Sequence, residues 1–207
     1  MAVYHIEEQL EEIGRDLRRR IGLEHQACLD VMTVINKLKH VDPAFNYRRV
    51  PDKNMPYAEA EWDSEATVIA MRESVFTGMQ PGDTHPRFVV FHEISHYVLG
   101  HKGVRNRITS SQVRQYSAPQ VKHEEAEATR LAVIIIAPEY LVPEGATADD
   151  IVSQFGMSLT ATVLRKEEID RIRRRRRGEL RPLPASVKEL LRNARDRGFP
   201  IQTQLDD

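Results

Sequence analysis

The chain has 207 residues, 29% of them charged and 41% hydrophobic, with a formal net charge of −1. That length supports one sizeable core and at most a smaller appendage, and the near-zero charge excludes a global pull toward nucleic acid or an anionic membrane. A single cysteine, Cys28, excludes an intrachain disulfide; its apolar neighbours at helical spacing make it read as a buried structural thiol. The acidic first residues are unlike a signal peptide. The longest apolar run, Leu131 to Ala137, is too short to span a bilayer, so the expectation is a cytoplasmic protein without a membrane partner.

Ile6, Leu10, Ile13, Leu17 and Ile21 recur at helical spacing and predict an amphipathic first helix. A second helix is expected from about Gln26 to Lys39. Pro43, Pro51 and Pro56 interrupt the following stretch, and the segments Tyr57 to Trp62 and Ala66 to Met71 read as strands of a small sheet. Gly78, Pro81 and Gly82 mark a loop. A helix should then start at Asp83 or Thr84, with Pro86 in its first turn, and stop at Gly100 in a left-handed conformation. A polar loop runs to about Gln120. A long helix follows from near Lys122 to about Ala137, closed by Pro138. Asp149 to Phe155 and Ser158 to Ile169 read as two helices around Gly156. The arginine run Arg173 to Arg177 comes next, then a joint at Pro182 and Pro184 and a last helix near Ala185 to Arg197.

The helix after Gly82 carries His92-Glu93-Ile94-Ser95-His96. Residues four apart lie on one helix face, with β-carbons roughly 6 Å apart. Two imidazoles so placed can converge on one ion at about 2.0–2.1 Å from each nitrogen. Glu93, beside His92, can reach a water on that ion without ligating it and act as general base. Phe88, Val89, Val90 and Val98 make the setting apolar, and a buried His-Glu-His group with no ion would strand polar atoms.

Two sources of a third ligand come into view. His101 suggests the pattern H-E-x-x-H-x-x-G-x-x-H, but the third histidine position there falls on Lys102 and the glycine position on Leu99. A surface histidine, or one touching a ligand from outside, is the better reading of His101. The other source is the next helix, with Glu124, Glu125 and Glu127. Glu125 shares a face with Ala128, Ala132, Ile135 and Ile136, and the alanines would let this helix press close to the first. An acidic first turn that faces solvent accounts for glutamates there equally simply.

Two segments resemble the ImmA/IrrE family of metallo-endopeptidases. FVVFHEISHYVLGH is similar to that family's F-T-x-x-H-E-x-x-H-x-x-x-G-H, and EAEATRLAVIIIAP is similar to E-x-x-A-N-x-F-A-x-x-L-L-x-P. Thr129 and Leu131 stand where the family usually has Asn and Phe; a threonine hydroxyl can still hydrogen-bond a ligand. The resemblance covers about Ala66 to Pro138 and extends weakly through Ile151 to Arg165. It implies Glu125 as third zinc ligand with His92 and His96, and Glu93 as catalytic base. It also implies an α+β, zincin-like core of the gluzincin type, with a small sheet and active-site helices. The implied activity is zinc-dependent hydrolysis of a peptide bond in a protein substrate, with a helix-turn-helix repressor as the suggested class. Tyr116 and His123 flank the site in sequence and are candidates for stabilising the oxyanion.

The expected division is a peptidase domain over residues 1–143 and a helical extension over 144–207. Within the extension, Ile151 to Ser158 followed by Thr160, Val163 and Arg165 has the pattern of a helix-turn-helix. A DNA-binding transcriptional regulator is therefore the rival reading. The candidate recognition helix mixes Arg165 and Lys166 with Glu167, Glu168 and Asp170, which disfavours DNA and favours packing or substrate contact. For the arginine run, a solvated helix end is the simplest reading.

Overall fold

A computed structural model describes residues 5–79, 83–102, 118–179 and 183–199. It shows a mixed α+β chain, mostly helical, with one three-stranded sheet among the described residues. The chain forms two compact units, residues 1–169 and 170–207.

In the first unit, α1 (Glu7–Arg20) buries Leu10 and Leu17 as its periodicity predicts, while Ile6 stays exposed. The buried Arg18 donates from Nη1 to the Ile135 carbonyl at 2.6 Å, which ties α1 to a later helix. The second helix, α2 (Val31–Val41), starts later than the periodicity suggests, because the Asp30 carboxylate accepts from the Thr33 N–H at 2.7 Å and caps it there. Cys28 therefore lies before the helix and is exposed, correcting the expectation of a buried thiol. Its sulfur is 3.7 Å from Arg87 Nη2.

The sheet has the order β1-β3-β2. Central β3 (Val68–Arg72) buries Ile69, Ala70 and Met71. It pairs parallel with β1 (Asn46–Val50), Asn46 opposite Val68, and antiparallel with β2 (Ala60–Asp63), Trp62 opposite Ile69. The two later strands were legible in the sequence. β1 was not: it lies between Pro43 and Pro51, and Arg48 and Arg49 are exposed, so it offers little apolar alternation. A short helix, α3 (Glu73–Gly78), follows β3.

Helix α4 (Thr84–Val98) has Asp83 at its N-cap and Pro86 in its first turn, and Gly100 beyond its end has φ 67°, as expected. It packs on β2 and, most extensively, on α5 (Ala118–Ile136). α5 begins a turn before the expected Lys122. Ala128, Leu131, Ala132, Ile134 and Ile135 are fully buried along it. Pro138 ends it, and a short 3-10 turn, Glu139–Leu141, leads on.

Helices α6 (Ala148–Phe155) and α7 (Leu159–Arg176) flank Gly156, which is left-handed. The Arg87 guanidinium of α4 holds this joint, donating to Gly156 O at 2.7 Å and Phe155 O at 3.3 Å. Ile151, Phe155 and Ile169 belong to the same buried core as α1 to α5. The stretch 144–169 thus packs with the first unit, and the expected 143/144 division falls inside that unit.

The second unit holds the end of α7 and α8 (Ala185–Asp196). The arginines Arg173 to Arg176 are the last turn of α7, where cations oppose the negative helix end. Arg177 follows it and pairs with Glu179. α8 matches the expected last helix; Pro184 precedes it, while Pro182 lies outside the described residues, as do Pro81, Gly82 and most of the polar loop. No helix among the described residues is long and apolar enough to cross a membrane.

Candidate metal centre

The four-residue spacing on α4 puts His92 and His96 on the face that meets α5. His96 is almost wholly buried and His92 partly so. Ala128 and Ala132 are fully buried; with no side chain beyond Cβ they let the two helices approach. The approach carries one glutamate of α5 onto both histidines. Glu125 Oε2 is 3.3 Å from His92 Nε2, and Glu125 Oε1 is 3.5 Å from His96 Nε2. The two Nε2 atoms are 3.0 Å apart.

The three side chains offer ligand atoms within 4.8 Å of one another, a group able to hold a metal ion. The edges of this triangle test the fit. Donors on one face of a tetrahedron, each about 2.0–2.1 Å from an ion, stand about 3.3 Å apart. The Nε2–Nε2 separation of 3.0 Å and the 3.3 Å from His92 Nε2 to Glu125 Oε2 are close to that spacing, while His96 Nε2 faces the other carboxylate oxygen, Oε1, at 3.5 Å. Two imidazoles and a carboxylate are also a donor set that can hold a divalent metal ion.

The other two glutamates of the acidic turn are placed elsewhere. Glu124 is buried and accepts from Gln120 Nε2 at 2.9 Å. Glu127, 4% exposed, faces three histidines. His5 donates its backbone N–H at 2.9 Å and has Nδ1 at 3.0 Å from Glu127 Oε1. His123 Nε2 is 3.3 Å, and His101 Nε2 3.9 Å, from Glu127 Oε2. His123, a candidate oxyanion donor by sequence, thus faces Glu127; Tyr116 lies outside the described residues.

Glu93 is buried, and the Trp62 backbone N–H of β2 donates to its carboxylate. Burial pushes the Glu93 carboxyl up to about 7; His92 and the Trp62 N–H oppose the rise, and the charges of Glu125 and Glu61 add to it. A carboxyl with that pKa can both take and return a proton near neutral pH. Thr129 Oγ1 lies 3.4 Å from His92 Nδ1, on the ring edge away from the ligand triangle. The Thr129 hydroxyl thus lies against one of the candidate ligands.

His101 is buried, with Nδ1 2.8 Å from His96 Nδ1, so of its two expected placements it takes the one that touches a candidate ligand from outside. One feature escaped the sequence. His5 enters from the start of the chain, and no local pattern relates it to Glu127. Arg165, part of the recognition helix only in the rival reading, is buried: Nε donates to Ala137 O and Nη1 to Glu168 Oε2, both at 2.8 Å, and Nη2 pairs with Glu11.

No protein-family model matches this chain, and no curated protein matches it.

Proposed function

We propose that the chain is a zinc-dependent endopeptidase that cuts a peptide bond in a protein substrate, with a helix-turn-helix repressor as the substrate class and the cytoplasm as its place of action. The observation that carries this reading is the triangle of His92, His96 and Glu125, with the buried carboxyl of Glu93 beside it. The reading extends to family and fold. The resemblance of the two helix motifs to ImmA/IrrE peptidases, and the packing of α4 between α5 and the small sheet, support a zincin-like core of the gluzincin kind.

His92, His96 and Glu125 would hold the zinc. Bound there, zinc supplies Lewis acidity toward the attacking water and the scissile carbonyl. Glu93 takes a proton from that water as its oxygen attacks the carbonyl carbon. It then delivers the proton to the amide nitrogen as the C–N bond breaks, so the amine leaves neutral. The Trp62 N–H holds the Glu93 carboxyl in place, and its burial keeps bulk water from it. Thr129 fixes the ring of His92 from the opposite edge.

The rival reading, a DNA-binding regulator, rests on the α6–α7 pair. The burial of Arg165 against Glu11 and Glu168 removes one cation from its candidate recognition helix, which favours the peptidase. The test is to measure metal in the pure full-length chain and to incubate it with candidate repressors, with and without chelator. About one zinc per chain and chelator-sensitive cleavage are expected. Protein purified without chelator that holds no transition metal would end this reading.

A further inference from the structure

Helix α4 ends in a way that returns the chain to its own metal face. Its last three helical residues are His96, Tyr97 and Val98 counted from C3 to C1, with Leu99 as the C-cap. Gly100, at the next position, is left-handed with φ 67°. Its N–H donates to Tyr97 O at 3.1 Å, and the N–H of His101 donates to His96 O at 3.0 Å. These two bonds are a Schellman motif, which sets the residue after the glycine against the residue at C3. In most such motifs that contact is hydrophobic. Here it joins two imidazoles, His101 and His96, whose Nδ1 atoms are 2.8 Å apart. The spacing H-x-x-x-G-H is thus what a helix stop requires if it is to lay one histidine on another. Trp62 fixes the same turn from the sheet, its Nε1–H donating to His101 O at 3.2 Å.

Two Nδ1 atoms at that distance share one proton: one ring donates and the other accepts. Nε2 of His96 points into the triangle with His92 and Glu125, where a ligand needs a bare lone pair. The proton must then sit on His96 Nδ1, and His101 must accept it with a bare Nδ1. A neutral His101 so arranged carries its own proton on Nε2, the atom that faces Glu127 Oε2 at 3.9 Å. That distance is too long for a direct hydrogen bond, but the buried carboxylate favours the tautomer that turns an N–H toward it. The backbone N–H of His5, at 2.9 Å from Oε1, holds Glu127 in place in turn.

We infer that His101 is a positioning residue for the metal centre: it fixes His96 in the tautomer that offers Nε2 to the ion. The inference rests on the peptidase reading for the identity of the ion, and it assigns His101 no contact with substrate.

The experiment uses the full chain and two replacements. His101→Leu removes the acceptor. His101→Asn retains one, since the Asn carbonyl oxygen occupies about the position of the imidazole Nδ1. Zinc affinity is measured by competition with a chromophoric chelator, and circular dichroism reports the fold. A loss of about 10- to 100-fold is expected for His101→Leu, with most of it restored in His101→Asn; a purely steric role would not separate the two in this order. In parallel, nitrogen-15 spectra of the zinc-loaded parent should show His101 protonated at Nε2 and bare at Nδ1. This second measurement decides the matter even if the leucine variant does not fold. Parent-like zinc affinity in a folded His101→Leu, or a proton on His101 Nδ1, overturns the inference while leaving the zinc reading intact. A parent chain that binds no zinc removes the zinc reading itself, a different result from either.

Discussion

The first unit buries two clusters of ionisable side chains, and they are built on opposite logic. Around Arg165 each carboxylate meets a guanidinium: Glu11 and Glu168 pair with Arg165, and Arg130 joins Glu168 to Glu7 at 3.0 and 2.9 Å. Burial raises the Glu11 carboxyl above its usual range, and Arg165 works against that rise. The cluster is a strut linking α1, α5 and α7, and its charges are met by one another. Around His92 the side chains bring lone pairs together, two imidazole nitrogens and a carboxylate, at separations that suit an ion in their midst. The contrast teaches how a site differs from a brace within one core. Charge that the fold itself balances holds helices together, whereas donors that converge on a common point are arranged for a guest.

Four measurements would break or sharpen this contrast. The largest effect is expected from Glu93→Gln. It should lower the cleavage rate by about 10²- to 10⁴-fold, the usual worth of a general base, with zinc content unchanged; a variant that still cleaves at the parent rate removes Glu93 from the mechanism. Next is Arg165→Met, which leaves the buried Glu11 without its guanidinium and Glu168 with Arg130 alone. A stability loss of about 3–5 kcal/mol is expected in denaturant unfolding, while the folded variant binds zinc with parent affinity. A change in zinc affinity there would mean that the brace and the site are one system.

Glu125→Ala should then weaken zinc binding by more than the roughly 10- to 100-fold typical of an outer partner, and by far more than Glu124→Ala. A titration in which Glu124 matters most would move the third ligand. The smallest effect is one of pH on the metal-free chain. The Glu93 carboxyl rises from an ordinary 4.5 to about 7 on folding. A raised carboxyl stabilises the fold fully below about pH 4.5, and that contribution is lost as pH rises through about 7. Metal-free Glu93→Gln should therefore lose this slope and exceed the parent by about 3 kcal/mol above that pH. Parallel pH profiles for the two proteins would show that Glu93 is not buried as described.

The sequence by itself determined the two site helices and the histidine and glutamate side chains they carry. His92, Glu93 and His96 were legible because helical spacing is a local property, and the bounds of α4 were legible because Asp83, Pro86 and Gly100 act within a turn of the helix end. The face of α5 with Glu125, Ala128 and Ala132 was legible for the same reason, although three nearby glutamates left the choice to the resemblance. What only the tertiary structure decided depends on which elements meet. β1 offers little apolar alternation and exists because its neighbour β3, distant in sequence, pairs with it in parallel. Cys28 is exposed because the Asp30 cap starts α2 after it. Arg165 is a brace because Glu11 arrives from α1, at the far end of the sequence. Glu127 gathers His5 and His101 from two segments outside its own helix. Local patterns specify where a helix begins, ends and turns its face; burial and charge pairing between distant segments appear only when the chain has folded, because they are properties of the pair and not of either residue.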